Sequence, residues 1–142
     1  MKNLLRPDDL KKITTDTERA KAAEHLEGAR KQEEVQKKLH DAFMNRDIHP
    51  NAKDRINEAV RLAAEQGRQE IQVLTFPASY TNDRARRINN NEPDWPDSLE
   101  GFAKKAYEYF VQELRPLGYR VGAQVIDYPE GRPGNVAMTL KW

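Results

Sequence analysis

The sequence predicts an α+β protein. A long N-terminal helix precedes a small α/β unit with a three-stranded mixed sheet, made of a β-α-β crossover plus a C-terminal β-hairpin and covered by helices on one face. Three observations predict this. Residues 11–46 carry 16 charged side chains and no proline. Residues 99–114 hold one continuous apolar face at helical spacing. Two stretches near the end alternate apolar and polar residues across a connector rich in turn-forming residues. The chain is therefore read as a polar helix over residues 1–46 and a compact α/β domain over residues 47–142.

The first element opens at Pro7, which suits the first turn of a helix, and is followed by Asp8 and Asp9, whose charges suit its positive end. Glu27 with Lys31, Glu33 with Lys37 and Glu34 with Lys38 are spaced i, i+4 with the acid first, the more favourable order. The signal for a helix is strong throughout, and Thr14–Thr15 is the place where it allows an interruption. Its apolar content is thin. Leu26, Ala29, Val35, Leu39 and Phe43 fall roughly on one stripe that Gln32 interrupts. Leu10, Ile13, Thr17 and Ala20 begin a 3,4,3 pattern that runs into Glu24 and Glu27. No single heptad register lasts long enough for a confident coiled coil. A long helix this polar either folds back on its own domain or borrows a partner's surface. Leu26, Val35, Leu39 and Phe43 are the candidate interface residues, and the partner is a second copy or another protein.

His49-Pro50-Asn51 ends that helix and opens the next, whose Ile56, Ala59, Val60 and Ala63 share one face and which Gly67 closes. Residues 70–76 are rich in β-formers and stop at Pro77, which predicts a strand. Thr81 or Asn82 caps a short helix through Ile88, ended by Asn89, Asn90 and Asn91. An acidic loop with two prolines follows, and its Trp95 is expected to pack back onto the domain. Ser98 or Asp97 caps the strongest helix, with Leu99, Phe102, Ala103, Ala106, Phe110 and Leu114 inward and Pro116 and Gly118 at its end. Residues 119–126 and 135–142 form the hairpin. Gln72, Arg120, Gln124, Thr139 and Lys141 leave the second sheet face wet, or covered by the first helix or another subunit.

Composition narrows the chemistry. The chain has no cysteine, so a disulfide framework and a thiolate zinc site are both excluded. The net charge is +1, and neither half deviates: residues 1–71 hold 15 basic and 14 acidic side chains, residues 72–142 nine of each. Overall attraction for nucleic acid or an anionic membrane is therefore weak. No apolar run approaches the roughly 18 residues of a membrane span, and no signal-peptide pattern opens the chain, so a cytoplasmic location is expected. His25, His40 and His49 lack metal-ligand spacing, no phosphate-binding glycine loop is present, and no cofactor or metal is expected.

Two clusters carry what chemical signal remains. Asp94, Asp97 and Asp127 offer paired carboxylates for a small hydrolase or transferase, although acids beside prolines and helix starts more often serve as caps. Arg84 and Arg87, flanked by Tyr80 and Trp95, combine guanidinium forks with stacking surfaces, the residue mix of a nucleotide or single-strand site. The competing expectation pairs those arginines with Glu92, Asp94 and Asp97 to pin a long loop. The sequence thus favours a non-catalytic interaction or regulatory module that self-associates through its first helix, ahead of a nucleotide- or nucleic-acid-binding protein.

Overall fold

The computed structural model describes residues 4–142. The chain divides into two units, one ending at Asp41 and the other spanning Ala42–Trp142. Helix α1, Pro7–Asn45, crosses that boundary.

The first unit is the body of α1. The helix runs without interruption through Thr14 and Thr15. The hydroxyls of Thr14, Thr15 and Thr17 donate to the carbonyls of Leu10, Lys11 and Ile13, one turn back, at 2.9–3.0 Å. This back-bonding lets threonine sit inside a helix. Glu27 pairs with Arg30 at 2.7 Å instead of with Lys31. No residue of α1 is buried, and Leu10, Ile13, Leu26, Val35 and Leu39 are exposed.

The second unit starts with the last turn of α1. Phe43 lies 4.9 Å from the ring of Tyr80 and 5.6 Å from that of Phe76, centroid to centroid. Helix α2, Ala52–Glu65, ends as the sequence predicts. Gly67 takes φ +78°, its N–H reaches the Ala64 carbonyl, and the Arg68 N–H reaches that of Ala63, which together form a Schellman cap. Strand β1 is Glu70–Pro77, α3 is the short Arg86–Asn89, α4 is Gly101–Tyr109, β2 is Arg120–Val125 and β3 is Asn135–Lys141.

Helix α4 starts later than its sequence caps suggest. Trp95–Ser98 forms a separate 3-10 turn, and Leu99 and Glu100 are extended before Gly101 begins the helix. At its end, Phe110–Leu114 widens into i→i+5 bonding, and the Arg115 N–H reaches the Phe110 carbonyl. Pro116, which has no N–H to donate, follows in a 3-10 turn.

The sheet is three-stranded, as predicted, but its order is β1-β3-β2. β3 pairs antiparallel with both neighbours, so the sheet is antiparallel throughout and not mixed. β1 and β2, joined through α4, still run parallel to each other, with β3 inserted between them. One face gathers Phe76, Val136 and Val125, then Leu74, Met138 and Ala123, then Ile71, Leu140 and Val121. Against it pack Ile88, Leu99 and Ala103. The other face carries Gln72, Thr139 and Gly122 across the strands, with Lys141, Arg120 and Gln124. Of these, Gln72, Arg120 and Gln124 are exposed.

Candidate functional site

Residues 78–99 build the densest polar structure in the second unit. Thr81, buried, organises its start. Its hydroxyl donates to the Ala78 carbonyl at 2.8 Å and accepts the Ala85 N–H at 2.6 Å. This bridge holds Arg84 and Ala85 in successive left-handed conformations, φ 54° and 62°, where the sequence predicts helix. Asp83 then accepts the Arg87 N–H at 3.1 Å and so caps α3 from four residues away. Asn82 staples the far end of the loop: its N–H meets the Ser98 carbonyl, and its side-chain amide donates to the Asp97 carbonyl at 2.9 Å.

The arginines divide. Arg87 Nε sits 3.7 Å from Asp83 and 3.5 Å from Asp94, a half-buried cation between two carboxylates that ties α3 to the proline loop. Arg86 pairs with Glu92 at 3.3 Å. Arg84 is exposed and makes no ion pair among the described residues. The four residues proposed from sequence therefore do not converge. Tyr80 packs on Phe43. Arg87 is engaged by acids, and Arg84 lies on the turn. Trp95 is half-buried, with its ring edge-on to Tyr107 at 5.5 Å and 73°.

Trp95 does line a space. A cleft of about 600 Å3 opens between the loop after α3 and the second face of β2 and β3. Asn89, Asn91 and Glu92 stand on the loop side; Gly122, Gln124, Thr139 and Lys141 stand on the sheet side. Tyr128 donates to Asn89 Oδ1 at 2.6 Å across one end. Its polar lining is amide and hydroxyl with the Glu92 carboxylate, one indole and the Lys141 ammonium, which makes no ion pair among the described residues, so it is equipped to hold a polar ligand by hydrogen bonds and stacking. Sequence reasoning marked Trp95 and the wet sheet face separately. What joins them is the course of the loop after α3, which brings Trp95 to the face of the hairpin where Gly122 lies beside Thr139.

The carboxylate cluster is dispersed. Asp127 Oδ1 accepts the Asn135 N–H at 2.6 Å and Oδ2 accepts its side-chain amide at 3.0 Å, closing the hairpin. Asp94 belongs to Arg87. His49 Nδ1 accepts the Asn51 N–H at 3.0 Å at the start of α2. Among the described residues no three His, Cys, Asp or Glu side chains gather as metal ligands. None of their helices is long and apolar enough to cross a membrane.

Set against protein-family models, curated proteins and solved structures, the chain matches none. Its functional reading therefore rests on its own residues.

The interface residues named from sequence also separate. Leu26, Val35 and Leu39 are exposed on the first unit, while Phe43 is drawn into the aromatic packing of the second. In an unbroken helix, Leu26 and Val35 are nine residues apart. That spacing is two and a half turns, so the two lie on opposite sides of α1. The single stripe read from sequence resolves into two faces.

Proposed function

We propose that this chain is a non-catalytic interaction module that self-associates through its N-terminal helix. The observation that carries this reading is α1 itself: the helix buries no residue and leaves Leu10, Ile13, Leu26, Val35 and Leu39 in solvent. Ala42–Trp142, by contrast, has a core of its own. At 100° per residue, Leu10, Ile13, Val35 and Leu39 fall within a sector of about 80°, so one face of one helix presents all four to a partner. The middle of that face is polar, with Thr17, Lys21 and Glu24, which favours contact at the two ends of the helix over a continuous zipper.

Burying each of these side chains contributes about 2 kcal/mol, and association costs about 8 kcal/mol. For four side chains on each of two copies, the balance corresponds to a dissociation constant on the order of micromolar. Light scattering across that concentration range tests the reading. The wild-type chain is expected to rise toward dimer mass, and Val35→Glu with Leu39→Glu is expected to hold it at monomer. A wild-type chain that stays monomeric throughout overturns the proposal.

A second reading, a nucleotide or single-strand site near Trp95, draws on the polar cleft. It is the weaker of the two. Arg87 is engaged by Asp83 and Asp94, which leaves Lys141 as the one cation lining that cleft among the described residues.

A further inference from the structure

The apolar face of the sheet is not fully covered. Between α2, the widened end of α4 and strands β2 and β3 lies a second slot, of about 210 Å3. Ile56, Phe102, Phe110, Val121, Met138 and Leu140 form its walls. Phe110 opens the i→i+5 segment of α4, a distortion that recurs beside binding sites. On the other strand flanking the slot, the register shift between Gln72 and Leu74 bulges Val73 outward, and Val73 also lines the opening.

The charged residues lining the slot are all of one sign. Arg46 and Arg55 are present, with the His49 imidazole beside them, and no carboxylate is. Arg46 lies over the Phe102 ring at 4.0 Å, already seated against the apolar wall. His49 accepts the Asn51 N–H on Nδ1, which leaves Nε2 as the donor of the neutral ring. Arg55 has no ion pair among the described residues, so its guanidinium fork is open to an anion. Size sets the other bound. An apolar cavity of about 150 Å3 admits benzene. A slot somewhat larger therefore suits one ring or a short branched chain, and is too small for a long acyl tail.

We infer that this slot binds a small apolar carboxylate, with its hydrocarbon end among Phe102, Phe110 and Leu140 and its carboxylate at Arg55 and His49. The site lies within Ala42–Trp142 and stands independently of how α1 associates. Apolar walls supply most of the affinity, and the cationic rim supplies selectivity for the anion.

Titration calorimetry and amide chemical-shift mapping on the full chain test this with three probes of matched shape: benzoate, toluene and benzylamine. Saturable benzoate binding with shifts centred on Phe102 and Leu140 is expected, with toluene weaker and benzylamine not bound. Arg55→Gln, at an exposed side chain with no ion pair among the described residues, is expected to weaken benzoate at least tenfold and leave toluene unchanged. Ala106→Leu, which fills the slot from α4, is expected to abolish both. The inference is overturned if benzoate does not saturate, or if benzylamine binds as well as benzoate. It is equally overturned if Arg55→Gln leaves benzoate affinity unchanged, or if the shifts map to the Trp95 cleft.

Discussion

Arg84 and Ala85 take left-handed dihedrals back to back, and neither is glycine or asparagine. Such a conformation costs a non-glycine residue roughly 1–2 kcal/mol, whereas glycine gives back about 0.5–1 kcal/mol through its freedom in the unfolded chain. Arg84 is exposed and makes no ion pair among the described residues, so Arg84→Gly is expected to raise stability by about 0.5 kcal/mol, read as a higher urea midpoint at unchanged slope. Arg87 behaves oppositely. Its removal leaves Asp83 and Asp94 facing each other without their cation, and Arg87→Ala is expected to cost about 1–2 kcal/mol, between the ranges for exposed and buried pairs. The sequence reading pairs Arg84 and Arg87 with Glu92, Asp94 and Asp97; Arg87 with Asp94 realises it, whereas Glu92 is held by Arg86 and Arg84 makes no ion pair among the described residues. It did not mark the left-handed pair. That conformation is imposed by one hydroxyl, Thr81, bridging Ala78 and Ala85, and no residue type at positions 84 or 85 announces it.

Elements meet through close backbone approaches that a single methyl would disturb. Gly101 opens α4 at φ +57°, and a Cβ there would lie 2.7 Å from both Met44 Cα and Met44 Sδ. Gly101→Ala is expected to lower stability by about 2–3 kcal/mol, from strain and from lifting α4 off the end of α1, and thermal unfolding measures it. Asp127 closes the hairpin with two hydrogen bonds to Asn135, and Gly134 admits it because a Cβ there would collide with that carboxylate and with the Pro129 ring. Asp127→Ala is therefore expected to cost about 1.5–3 kcal/mol, measured by urea denaturation. The existence and type of the long elements were legible, since helical and alternating periodicity survive in the residues themselves. The start of α4 was not, because Leu99 looks like the first residue of its apolar face and is instead extended. Nor was the strand order. The same alternation in β3 fits an edge or a centre, and its pairing with both β1 and β2, matched by unbroken burial from Val136 to Met138, makes it the central strand.

At the scale of the whole chain, two units of unlike chemistry share one sequence. Ala42–Trp142 encloses an apolar core of its own and keeps beside it one slot with a cationic rim. The other unit is a helix of alternating charge that offers a few apolar side chains and encloses none of them. Composition made that contrast visible from the start. What it did not show is that Phe43 belongs to the second unit, which rests on its ring packing against Phe76 and Tyr80; that Leu26 and Val35 lie on opposite sides of α1 follows from their nine-residue spacing in a helix continuous between them. Under the proposed self-association, Leu10, Ile13, Val35 and Leu39 are the surface the helix presents to its partner. The direct measurement is light scattering in line with size exclusion on the full chain, over a rising series of concentrations. Self-association predicts a mass climbing from the 16.4 kDa of one chain toward twice that value, with Val35→Glu and Leu39→Glu together restoring the single-chain mass. A mass that stays at one chain throughout, identical for the wild type and the double variant, would contradict it.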